Sequence, residues 1–98
     1  MAKFVQIIEY KTSRIDEVDR LTDEFLKKTE GKRPNGHAVR TKDRDNANTY
    51  LEIVEFPSYE EAMRNNDLPE TQEFAQKMME LCDGEPIFRN LDLEREDD

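Results

Sequence analysis

Apolar residues fall on both alternating sets of residues 3–11, Lys-Phe-Val-Gln-Ile-Ile-Glu-Tyr-Lys, which predicts a strand buried on both faces. Ser13 with Asp16 three residues on predicts a capping box. Ile15, Val18, Leu21, Phe25 and Leu26 then recur at helical spacing up to Gly31, a C-terminal stop. Asp16/Arg20, Asp23/Lys27 and Glu24/Lys28 are acid-before-base pairs four apart and mark the wet side of that helix. Pro34-Asn35-Gly36 has turn chemistry, and the polar run from His37 to Lys42 reads as an edge strand. A polar turn over 43–48 leads into Thr-Tyr-Leu-Glu-Ile-Val-Glu-Phe from Thr49 to Phe56, a second strong strand that completes a hairpin. Ser58 with Glu61 predicts another capping box, opening a short helix through Met63 that Asn65, Asn66 and Pro69 cut off. A further helix runs from Pro69 to Cys82, with Phe74, Met78 and Leu81 on one face and Gly84 as its stop. Pro86 precedes a last strand over 87–93.

The order strand, helix, strand, strand, broken helix, strand predicts an α+β chain. Right-handed crossovers and short connections lead it to a ferredoxin-like βαββαβ fold, a four-stranded antiparallel sheet with its helices on one face. Alternation puts Phe4, Ile8 and Tyr10 on one side of the first strand, with Val5 and Ile7 on the other. In the third, Tyr50, Val54 and Phe56 oppose Leu51 and Ile53. Two apolar faces with helices for only one of them imply a second subunit on the other, hence a homodimer.

The chain has 98 residues, enough for one domain over 1–94, with 95–98 as an acidic tail. A charged fraction of 40% and a mean hydropathy of −1.02 suit disorder, but the periodic grouping of the apolar residues argues for a folded domain. The formal net charge of −9 disfavours nucleic acid and anionic membranes as partners. The opening residues hold no apolar core of signal-peptide length, and no apolar run is long enough to span a bilayer, so a cytoplasmic protein is expected. One cysteine, Cys82, and one histidine, His37, make neither an internal disulfide nor a zinc set. Gly31, Gly36 and Gly84 each stand at an element boundary, so there is no phosphate-cradling loop. No metal or other cofactor is expected.

Three segments resemble the antibiotic biosynthesis monooxygenases, a family of dimeric α/β barrels: the opening strand Phe4-Val-Gln-Ile-Ile-Glu-Tyr10, the strand-into-helix segment from Tyr50 to Ala62, and the broken helix around Leu68-Pro-Glu-Thr-Gln-Glu-Phe74. The resemblance implies two ferredoxin-like subunits packed sheet to sheet, with a pocket between each sheet and its own helices. It admits several activities, among them cofactor-free oxygenation of polyketide quinols and haem degradation. Haem-degrading members carry an Asn on the first strand, a Trp ending the third and a His on the second helical region. This sequence has Ile8, Phe56 and Phe74-Ala75 at those places, so haem oxygenation is not expected. Cofactor-free oxidation asks less of the protein, because an electron-rich substrate supplies the electron to oxygen once it is bound and deprotonated.

If Phe56 matches the family's pocket-facing aromatic, alternation sets Tyr50 and Glu52 on the pocket face, and Ile8 brings Gln6 and Tyr10. Glu52 is then the candidate base, because a carboxylate whose pKa is raised by burial can take a phenolic or enolic proton. Pairing of Glu52 with Arg40 or Arg89, or contact with water at the strand end, is the structural alternative. Histidine is the side-chain type that ordinarily titrates near neutral pH, so His37 is a second catalytic candidate, although its face depends on hairpin register. Its alternative is an exposed loop-proximal residue. Gln6, Ile8, Tyr10, Tyr50, Phe56, Met63, Phe74 and Met78 are the expected substrate-lining residues, each of the aromatics and methionines being equally suited to core packing. Two functions remain open: an oxygenase acting on an aromatic or polyketide-type molecule, and a non-catalytic ligand-binding or assembly protein of the same fold.

Overall fold

A computed structural model describes residues 3–33 and 36–97. Seven elements follow in order: β1 (Phe4–Lys11), α1 (Ile15–Lys28), β2 (His37–Lys42), β3 (Thr49–Phe56), α2 (Tyr59–Asn66), α3 (Pro69–Leu81) and β4 (Ile87–Asp92). The strands form one sheet in the order β2-β3-β1-β4, and every neighbouring pair is antiparallel. This is the ferredoxin-like arrangement, with the second helical region split as the sequence predicts. The two strands richest in apolar residues, β1 and β3, are the central ones, and both edge strands are exposed along their length.

The helix starts differ from expectation at one end of the molecule. Ser13 makes no capping box: Arg14 is the N-cap of α1 and no side chain caps it. Thr12, fully buried, does the local work. Its hydroxyl accepts from the Arg14 amide at 3.0 Å and donates to the Leu81 carbonyl at 2.6 Å, while the Asp83 amide donates to the Lys11 carbonyl at 2.7 Å. The β1–α1 corner is thereby tied to the end of α3, and the buried hydroxyl satisfies an orphan helix carbonyl. At α2 the predicted cap is present: Ser58 Oγ accepts from the Glu61 amide at 3.2 Å. That helix continues past Met63 to Asn66, and α3 begins on Pro69, where a missing N–H costs nothing.

Phe4, Phe56 and Ala62 form a closed core at one end, with Val54 and Met63 against it and Tyr59 edge-on to Phe4 at 5.4 Å. At the other end α1 and α3 meet through Phe25 and Phe74, whose rings lie 4.6 Å apart. Of the expected turn before β2, Pro34 and Asn35 lie outside the described residues. Gly36 is held by close approach: a Cβ there would come within 2.9 Å of the Glu55 carbonyl oxygen.

The molecule measures 38 × 32 × 21 Å, a thickness of two layers. Helices cover one side of the sheet. The other side presents Val5, Ile7, Leu51 and Ile53 in the middle, flanked by Val39, Ile87 and Leu91 at 41%, 49% and 43% exposure. Among the described residues no helix is long and apolar enough to cross a membrane.

Candidate functional site

Register fixes which side chains share the helix-facing side of the sheet. One row runs Phe88, Ile8, Glu52, Arg40 across the four strands. The row on one side holds Tyr10, Tyr50 and Lys42, and the row on the other holds Asn90, Gln6, Val54 and Ala38. Glu52 therefore stands mid-strand near the centre of that face, as alternation predicts.

Polar groups converge around it. The Tyr10 hydroxyl donates to Glu52 Oε1 at 2.8 Å, and the Tyr10 and Tyr50 rings stack at 5.8 Å. The Arg40 guanidinium lies over the Tyr50 ring at 5.8 Å and pairs with Asp19 on α1. Arg89, the other arginine considered as a partner, pairs with Glu9 at 3.6 Å on the opposite face. Among the described residues Glu52 thus makes no ion pair within 4.0 Å; its partner is a neutral phenol.

The electrostatics follow from that placement. Burial pushes the Glu52 carboxyl above the ordinary carboxylate range, against the opposing pull of the Tyr10 hydrogen bond and the Arg40 charge. Burial first, and then the hydrogen bond to Glu52, push the Tyr10 phenol far above its ordinary value. Tyr10 consequently stays a hydrogen-bond donor to Glu52 Oε1 at any working pH. The β4 end of the row is open to solvent. Phe88 belongs to the helix-facing row yet is 55% exposed, so the helices leave that end of the row uncovered.

Other expected site residues are placed as follows. Gln6 Nε2 donates to Asn90 Oδ1 at 3.1 Å, one row from Glu52, and Ile8 is half-buried directly beside Glu52. Phe56 and Met63 are packed into the closed core, and Phe74 packs on Phe25 between helices, so these three do not meet Glu52. Met78 is half-buried on α3. His37 is exposed, sits opposite Glu55 and shares the outer face with Val39 and Thr41. Hairpin register puts it on the reverse side of the sheet from Glu52, so the two candidate catalytic residues do not act on one ligand within a chain. Cys82 is no nucleophile by environment, because burial and the nearby Asp83 push its thiol up.

Sequence reasoning missed Asp19 and Phe88 as neighbours of Glu52. Phe88 follows from β4 register once Ile8 is placed, whereas Asp19 carries no sequence signal apart from lying on the wet side of α1. A groove of about 410 Å³ between α1 and α3, lined by Glu17, Arg20, Leu21, Glu24, Lys77, Glu80 and Leu81, contains none of the residues around Glu52. Among the described residues, no three His, Cys, Asp or Glu side chains are grouped to hold a metal ion.

No protein-family model and no curated protein matches the sequence. Solved structures do match in shape. A candidate antibiotic biosynthesis monooxygenase from Caulobacter crescentus superposes with a TM-score of 0.81 at 12% identity, over 96% of this chain and 92% of that one. SnoaB, a cofactor-independent oxygenase from Streptomyces nogalater, gives 0.80 at 11% identity over 98% and 97%. A conserved protein from Methanosarcina mazei gives 0.79 at 12% identity over 93% and 92%. At such identities the likeness is one of fold over almost the whole chain. The chain carries the fold of the antibiotic biosynthesis monooxygenases.

Proposed function

We propose that the protein is a cytoplasmic homodimer that binds a small aromatic or polyketide-type molecule between sheet and helices and oxygenates it without a bound cofactor. The observation that carries this reading is Glu52, a half-buried carboxylate with a raised proton affinity, no ion-pair partner among the described residues and a permanent donor, Tyr10, beside it. Such a group is suited to drawing a proton from a phenol or enol, because a general base works best when its pKa is raised toward the working pH. The anion so formed supplies all four electrons to dioxygen: one oxygen atom forms a new C–O bond in the product, and the other leaves as water with the two hydrogens the substrate loses. Ile8 and the accessible Phe88 offer an apolar floor, and the Gln6–Asn90 amide pair offers hydrogen bonds one row away, about 7 Å along the strand. The fold shared with a protein described as a cofactor-independent oxygenase supports the same class of chemistry.

Dimerisation is proposed through the outer sheet face, where an apolar centre and three exposed aliphatic side chains lack a cover within the chain. The non-catalytic alternative draws on the packed Phe4, Phe56 and Ala62 core at one end of the helix-facing layer. Dioxygen uptake with a panel of hydroquinones and dihydroxynaphthalenes separates the two. Uptake by the native protein that falls by about 100-fold or more in Glu52→Gln supports the oxygenase. Equal uptake by both proteins, or none above the uncatalysed rate across the panel, favours a binding or assembly role.

A further inference from the structure

We infer that Asp19 is a positioning residue that holds the Arg40 guanidinium off Glu52 and so keeps the Glu52 carboxylate free for a ligand proton. Arg40 and Glu52 are cross-strand partners on β2 and β3, on the same face. Side chains so placed have Cβ atoms about 5 Å apart, well within the reach of an arginine. Left to themselves the two would form an ion pair, and a guanidinium against a carboxylate lowers its pKa by about 1–3 units. The structure shows another outcome. Arg40 Nη1 is bonded to Asp19 on α1, its planar group rests over Tyr50, and Glu52 turns to the Tyr10 hydroxyl.

Two carboxylates compete for one cation here, and their surroundings decide between them. Asp19 is half exposed, so its charge keeps much of its hydration while it binds Arg40; Glu52 is more deeply set and loses more. The groups bearing on Glu52 are Tyr10 from β1, Arg40 from β2 and Asp19 from α1, while β4 faces it with the neutral Phe88 and Asn90. Among the described residues Arg40 is the cation in Glu52's own row, with Lys42 one row away beside Tyr50, and the occupancy of Arg40 by Asp19 sets whether the site holds a base or a neutralised pair. The functional meaning rests on the role proposed for Glu52; the positioning itself does not.

The test is an NMR titration of the Glu52 side-chain carboxyl in four proteins: native, Asp19→Asn, Arg40→Met and the double variant. Asp19→Asn should release Arg40 to Glu52 and lower the Glu52 midpoint by about one unit or more, a tenfold loss of proton affinity. Arg40→Met should raise it slightly, and the double variant should stay near Arg40→Met. An unchanged midpoint in Asp19→Asn overturns the inference. So does an equal fall in the double variant, because the direct loss of the Asp19 charge would then suffice. Asp19→Ser serves as a second variant, since an exposed helix position tolerates either change. A midpoint that shifts as expected while dioxygen uptake does not would retain the positioning role and reject Glu52 as the base.

Discussion

Glu52 differs from an ordinary sheet glutamate because, among the described residues, no ion pair offsets its burial. The sign of its pH effect follows. A carboxyl whose pKa is raised on folding binds its proton more tightly in the native state, so its favourable contribution is complete below the ordinary glutamate range and is lost as pH rises through the folded value. Glu52→Gln keeps an acceptor oxygen for Tyr10 and removes the charge. It should therefore melt no lower than the native protein at neutral pH, and the advantage should vanish on acidification below the ordinary range. Thermal unfolding across that interval checks this, and a melting temperature several degrees lower at neutral pH would show that Glu52 is held by an ion pair after all. The position of Glu52 was legible in the sequence, because period-2 alternation ties it to Tyr50 and Phe56. Its partner was not: two arginines were candidates on spacing, and only register and the approach of α1 assign them to Asp19 and Glu9. For the same reason His37 was ambiguous, since a one-residue slip in the hairpin reverses its face.

The elements test the difference between a cap written in sequence and a cap made in three dimensions. Ser13 and Ser58 have similar local signatures, yet only Ser58 accepts a helix amide. Ser58→Ala should cost about 1 kcal/mol, or roughly 4–8 °C in a domain of this size, whereas Ser13→Ala should stay within about 0.5 kcal/mol. Equal losses would mean that α1 is capped in solution by Ser13. The tie that replaces that cap, Thr12 to Leu81, joins residues far apart in sequence and has no local signature. Thr12→Val keeps the shape and removes both hydrogen bonds, leaving a buried carbonyl unpaired. It should cost about 1–3 kcal/mol by chemical denaturation, and a neutral result would show that water or another donor satisfies Leu81. The strands were read to within a residue at each end because β-branched and aromatic residues crowd β1 and β3. α2 runs three residues past the expected Met63 because asparagine is tolerated in a last helical turn.

At the scale of the whole molecule, a two-layer slab 21 Å thick leaves an apolar sheet face in water. The dimer proposed to cover it should bury more than about 1,000 Å² in total and persist at micromolar concentration. Ile53→Asp, in the middle of that face, should give monomer or aggregate by sedimentation; a folded, dimeric Ile53→Asp would place the interface elsewhere. The need for a cover was legible from the two-sided apolar pattern of β1 and β3, and the identity of the small molecule was not, because shape and hydrogen bonding in the site are set by side chains from four strands and a helix. The proposed function requires that a ligand reach Glu52 in the helix-facing layer, from the end where Phe88 is exposed. Amide NMR of the isotope-labelled protein titrated with a naphthol tests it most directly. Shifts concentrated at Ile8, Tyr10, Glu52 and Phe88, and lost in Glu52→Gln, are the predicted result; shifts confined to the groove between α1 and α3, with the Glu52 row unmoved, would contradict it.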